Sequence, residues 1–102
     1  MSSFRAGGAM SLILLTYGDI AAIDALMPAH VAWLEAGFAE GAFLVAGRRE
    51  PRTGGVIVVR GDRAAAEAIA ATDPFVTGGA ATAEVVPFHA SFATDPVRAW
   101  LS

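Results

Sequence analysis

A chain of 102 residues, 55% hydrophobic and only 17% charged, has room for one core. A domain of this size buries only about two-thirds of the surface its unfolded chain exposes, so the apolar surplus predicts a homo-oligomer, a dimer or a multiple of dimers. The formal net charge of -3, with no lysine, excludes the basic footprint of a nucleic-acid binder, and zero cysteine excludes disulfides and thiolate metal sites. No apolar run approaches the roughly 20 residues that span a bilayer. Met10 to Leu15 is also too short for a signal-peptide core. The expectation is a soluble, cytoplasmic protein with no membrane partner.

Met1 to Ala9 contains Ser2, Ser3, Gly7 and Gly8 without periodicity, and reads as a disordered arm ahead of a domain over 10–89. Ser11 to Tyr17 is a strand, and its Leu12-Ile13-Leu14-Leu15 run suits a central position buried on both faces. Gly18 breaks it, and Asp19 caps a short helical segment, Ile20 to Leu26. Pro28 then fits the first turn of the main helix, where its missing N–H costs nothing. Val31, Leu34 and Phe38 follow at i, i+3 and i+7 as the core stripe, and Gly37 and Gly41 weaken and end the helix. Phe43 to Ala46 and Val56 to Arg60 are strands joined by a long hairpin loop carrying Gly47, Pro51, Gly54 and Gly55.

Gly61-Asp62 caps an alanine-rich helix, Arg63 to Ala71, anchored by Ile69. Asp73-Pro74 opens a further helical turn that Gly78-Gly79 ends, and Thr82 to His89 is the last strand. In the tail, 90–102, Asp95-Pro96 caps a terminal turn. There Val97, Trp100 and Leu101 are expected to dock on a neighbouring subunit or on the sheet edge, since left free they would form a sticky patch. The order β-α-β-β-α-β is the split βαβ, ferredoxin-like motif. It predicts an α+β fold, a four-stranded antiparallel sheet with both long helices on one face. The other face then needs a cover, which again points to an oligomer.

Two residues far apart in sequence carry the chemistry best. His30 lies within an otherwise apolar helix, one turn from the start that Pro28 sets, and beside Gly37, which leaves room next to the ring. Histidine changes charge near neutral pH, and a carboxylate partner fixes its tautomer and raises its basicity. Asp73 offers that carboxylate. Each has a plainer role: His30 as a core or surface histidine satisfied by a carbonyl, Asp73 as the cap of Asp73-Pro74, worth about 1 kcal/mol. Capping and pairing are compatible, because one oxygen can serve the backbone while the other meets an imidazole. Arg48, Arg49 and Arg52 cluster, most simply as a solvated turn. His89 reads as an exposed strand end, and two histidines without a carboxylate cluster make no metal site. Ser11 and Ser91 lack a nucleophile context. Trp33 is most simply core, as is Tyr17, although the end of the first strand places Tyr17 over any pocket there. Gly54-Gly55 is a turn and not a phosphate loop, because no helix follows it.

The segments Leu14-Leu15-Thr16-Tyr17, Pro28-Ala29-His30 with Leu34, Pro51-Arg52-Thr53-Gly54-Gly55, Asp73-Pro74-Phe75 and Val86-Pro87-Phe88, in this order, resemble the YciI-like family, the YCII-related domain. The resemblance covers roughly Met10 to Phe88. It implies a ferredoxin-like fold of the dimeric α/β barrel type and a His-Asp pair in a pocket, matching His30 and Asp73. Many members carry Ser-Gly-Pro after the second strand, where Ala46-Gly47-Arg48 stands here. A hydroxyl is lost and an arginine gained. The implied function is a small-molecule enzyme of lyase or isomerase type, acting on a small cyclic or aromatic compound without a cofactor. His30 and Asp73 would be catalytic, Arg48 or Arg49 would hold an anionic oxygen, and Tyr17 and Gly47 would complete the substrate site. The alternatives are a non-catalytic ligand-binding or accessory protein, and a purely structural subunit.

Overall fold

Strand β1, Ala9–Tyr17, is the spine of the fold in the computed structural model, which describes residues 8–101. It is flanked on both sides in an antiparallel sheet of order β2-β3-β1-β4, with β2 at Phe43–Arg48, β3 at Gly54–Arg60 and β4 at Ala81–His89. The helices are α1, Ile20–Ala39; α2, Arg63–Ala70; α3, Pro74–Thr77; and α4, Asp95–Leu101. The chain is therefore an α+β, ferredoxin-like protein. No helix among the described residues is long and apolar enough to cross a membrane.

The period-two alternation of β1 sorts its side chains. Ser11, Ile13 and Leu15 are buried toward the helices, while Leu12 and Leu14 on the other face are only half-buried. The expectation of burial on both faces is thus corrected: this sheet is antiparallel and carries its three inner helices on one side. Ile13, Leu15, Ile57, Val59, Ile23 and Phe75 make the main core on that side. Most of the expected N-terminal arm lies outside the described residues. Its last member, Ala9, belongs to β1 and pairs with His89.

Helix α1 departs most from the sequence reading. It is one helix of 20 residues, capped by the Asp19 side chain on the Ala21 N–H at 3.2 Å, with Pro28 in its interior. Packing against the sheet and α3 outweighs the single ladder bond that proline removes. His30 accordingly sits mid-helix. The buried stripe is Ile23, His30 and Gly37, whereas Val31 and Phe38 are each 42% exposed. Because α1 is apolar on nearly every side, periodicity offered several faces and the sheet selected one. Gly37 is the contact point. A Cβ there would run into the Phe43 ring, so the space beside Gly37 belongs to Phe43 and not to the imidazole.

The hairpin is tighter than expected. Gly47 and Arg48 extend β2, and Gly54 and Gly55 open β3 opposite Thr16 and Leu15, leaving 49–53 as the loop. Gly54 serves strand approach, since any Cβ would collide with the Leu15 carbonyl.

The tail packs on the chain's own sheet. Leu101 and Ala93 join Leu44 and Val58 around Met10 and Ala90, a second apolar cluster on the face opposite α1 and α2. Arg60 fastens it: Nη2 donates to the Trp100 carbonyl at 2.8 Å, Nη1 to the Leu101 carbonyl at 3.4 Å, and the guanidinium lies over the Trp100 ring. A cation at the carbonyl end of a helix is favourable. Val97 and Trp100 themselves remain 45% and 50% exposed.

Candidate functional site

Where α2 ends, the chain turns through Thr72 and Asp73 into α3. The Asp73 side chain caps α3, its Oδ1 accepting the Phe75 N–H at 3.0 Å. That same oxygen meets His30 Nδ1 at 2.8 Å, in a place where His30 is 7% and Asp73 0% exposed. The contact suits a proton on Nδ1 with the carboxylate oxygen accepting. In that tautomer Nε2 carries the lone pair. Asp73 Oδ2 is buried and has no hydrogen-bond partner among the described residues.

Aromatic side chains fix the plane of the imidazole. Phe75 stacks on it with centroids 3.9 Å apart and planes 10° from parallel, and Trp33 lies at 5.6 Å. Trp33 is itself tied down, its Nε1–H donating to Thr72 Oγ1 at 2.9 Å. One hydrogen bond thus pins α1 to the turn that carries Asp73. These contacts leave the ring little freedom to turn.

A cavity of about 320 Å³ opens between α1 and the sheet on the β2 side. His30, Met27, Val31, Leu34 and Phe38 line it from α1, while Leu15, Tyr17, Gly55, Val56 and Ile57 line it from the two central strands. Ala46, Gly47 and Arg48 of β2 and Arg52 of the hairpin close the end. The size is at the lower end of small-molecule sites, and the walls are mostly apolar with a few polar groups, as such sites usually are. Burial pushes the Tyr17 phenol above its usual range, and Asp73 adds to this, against the opposing pull of Arg52 and Arg48. Tyr17 is therefore a neutral donor at physiological pH.

Of the residues singled out in the sequence, His30, Tyr17, Gly47 and Arg48 share this cavity, and Asp73 stands behind His30. Arg49 does not line it: its N–H donates to the Gly54 carbonyl at 2.9 Å and its side chain runs beside Gly54. Strand alternation explains the split, because Arg48 pairs with Gly55 in the same row as Ala46 opposite Ile57, facing the helices. Arg52 does more than sit in the solvated turn that its sequence neighbours suggest. It lines the cavity, and its Nη2 donates to Asp24 Oδ1 on α1 at 2.7 Å, a bond that raises its pKa further. The signal in the sequence was its place within the short loop that follows Arg48. His89 lies exposed at the end of β4, away from the cavity.

The fold is similar to that of 5-chloro-2-hydroxyhydroquinone dehydrochlorinase from Burkholderia phenoliruptrix AC1100, solved in complex with 2,5-dihydroxybenzoquinone. The two superpose with a TM-score of 0.65 at 19% identity, over 76% of this chain and 90% of that one. No curated protein sequence matches the chain. The YCII-related domain model matches residues 10–89, a span that begins in β1, ends with β4 and holds both His30 and Asp73. The chain belongs to the YCII-related domain family.

Proposed function

We propose that this protein is a small-molecule enzyme in which His30 acts as a general base, backed by Asp73, in an elimination or isomerisation of a small cyclic or aromatic compound. The observation that carries the reading is the 2.8 Å contact between Nδ1 and the buried Asp73 carboxylate, made by an imidazole that lines a cavity. Asp73 holds the tautomer that frees Nε2 and stabilises the imidazolium once Nε2 has taken a proton from carbon or oxygen. Phe75, stacked on the ring, presents its negative π face to that cation. Charge that develops on a substrate oxygen meets the Tyr17 hydroxyl and the guanidinium of Arg48 or Arg52. The dehydrochlorinase of similar fold makes halide elimination from a hydroquinone the first reaction to try.

The test is proton exchange and turnover with a panel of quinols, enols and lactones in heavy water, followed by NMR, with chloride release measured for chlorinated hydroquinones. Catalysis is expected to fall about 10²–10⁴-fold in His30→Gln, the usual share of a general base. Binding without exchange or turnover across the panel would instead make the protein a ligand-binding or accessory member of its family.

The reading extends to a homo-oligomer. On the sheet face away from α1 and α2, Val45, Val86 and Phe88 are 58%, 38% and 43% exposed, beside half-buried Leu12 and Leu14. An apolar surface of this kind favours a second copy of the chain.

A further inference from the structure

The charges around the cavity are lopsided. Among the described residues two guanidiniums line it, Arg48 and Arg52, and no aspartate or glutamate does. Arg52 is held from outside by Asp24 through Nη2 alone, its side chain 32% exposed and that of Asp24 60%. This leaves Nε and Nη1 of Arg52 for another acceptor. Arg48 forms no ion pair among the described residues. The rest of the lining is chiefly aliphatic, so a ligand ring has somewhere to pack while a charged edge is held at the hairpin end.

We infer that the cavity selects ring compounds bearing a carboxylate or a comparable anionic oxygen group, and that Arg52, positioned by Asp24, is the residue that reads this charge. The inference rests on the reading of the cavity as a small-molecule site and names the class of ligand. Planar anions are matched by the guanidinium fork, and a charge-assisted pair in a partly apolar site is stronger than the same pair in open solvent. Tyr17, which burial keeps protonated, adds a neutral donor without opposing the anion. Asp24 fixes the guanidinium at the hairpin end of the cavity but also competes for its charge. The site is therefore set for a single negative group and not for a highly charged ligand.

The experiment is calorimetric titration with a matched pair of probes, 2,5-dihydroxybenzoate and its methyl ester, which differ in charge but share the ring. The wild-type protein is expected to bind the carboxylate at least about tenfold more tightly than the ester, the scale of one charge-assisted bond. In Arg52→Gln that ratio collapses toward unity, with circular dichroism unchanged. Asp24→Asn keeps an acceptor for Nη2 and removes the competing charge, so it should tighten the carboxylate a few-fold and leave the ester alone. Equal binding of the two probes overturns the inference, as does an unchanged ratio in Arg52→Gln, weaker carboxylate binding in Asp24→Asn, or binding of neither probe at millimolar concentration. The measurement needs no turnover. A charge preference without catalysis would therefore refute the proton-transfer reading and leave this one standing, and turnover with no charge preference would do the reverse.

Discussion

Asp73 carries two duties on one oxygen, and substitution separates them. Asparagine keeps an acceptor for the Phe75 N–H but loses the negative charge opposite Nδ1, whereas alanine loses both. Asp73→Asn is therefore expected to lower any His30-dependent rate at least about tenfold while costing under about 1 kcal/mol of stability. Asp73→Ala removes a cap worth about 1 kcal/mol and strands a buried imidazole N–H at about 1–3 kcal/mol more. Urea melts of the two variants beside the wild type would separate them, and equal stabilities would contradict the double role. Tyr17 makes a different residue-level prediction. Its phenol is shifted upward from 10.0 by burial, so the folded state holds the proton more tightly than the unfolded chain does. Tyr17 then adds no pH dependence below the unfolded value. As the pH rises from about 10 toward the folded value, the unfolded state gives up its proton first and stability falls. Because Tyr17 is the single tyrosine of the chain, ultraviolet absorbance titrates it directly. In Tyr17→Phe this alkaline loss should disappear from thermal melts.

At the scale of elements, α1 decides how the site is built. It carries His30 mid-helix, seals against the sheet through Gly37, and bonds to the Asp73 turn through Trp33. Gly37→Ala tests the seal. In a free helix the change would stabilise by about 1 kcal/mol. Here the new Cβ meets the Phe43 ring, and overpacking of that kind costs about 1–3 kcal/mol. The expected outcome is a lower melting temperature than wild type, with the Phe43 ring shifted toward its neighbours Trp33 and Phe38. A higher melting temperature would mean that the helix backs away from the sheet freely. The continuity of α1 was not legible from its sequence. Pro28 is a strong local stop signal, and only sheet packing along the whole helix overrides it. Element order, the Asp19, Asp62 and Asp73 caps and the hairpin between β2 and β3 were legible, because each rests on contacts among near neighbours in the chain.

For the whole molecule, the proposed oligomer rests on the sheet face away from α1 and α2. Leu101 and Ala93 cover one end of it, around Met10 and Ala90, and leave Val45, Val86 and Phe88 exposed. Light scattering is expected to give a dimer or a multiple of dimers, and Phe88→Glu should shift it toward monomer without unfolding the chain. A wild-type monomer at micromolar concentration would remove the oligomer. The sequence by itself determined the fold class and the two residue types that make proton transfer conceivable, since alternation, capping and the ionisation of histidine and aspartate are local properties. Only the tertiary structure decided that His30 and Asp73 meet, that Phe43 and not the imidazole fills the space at Gly37, and that Arg52 faces the cavity while Arg49 turns from it. Those outcomes depend on which face of an almost uniformly apolar helix meets the sheet, and on how a hairpin folds over it. Both are set by packing between segments distant in the chain, which no local pattern encodes.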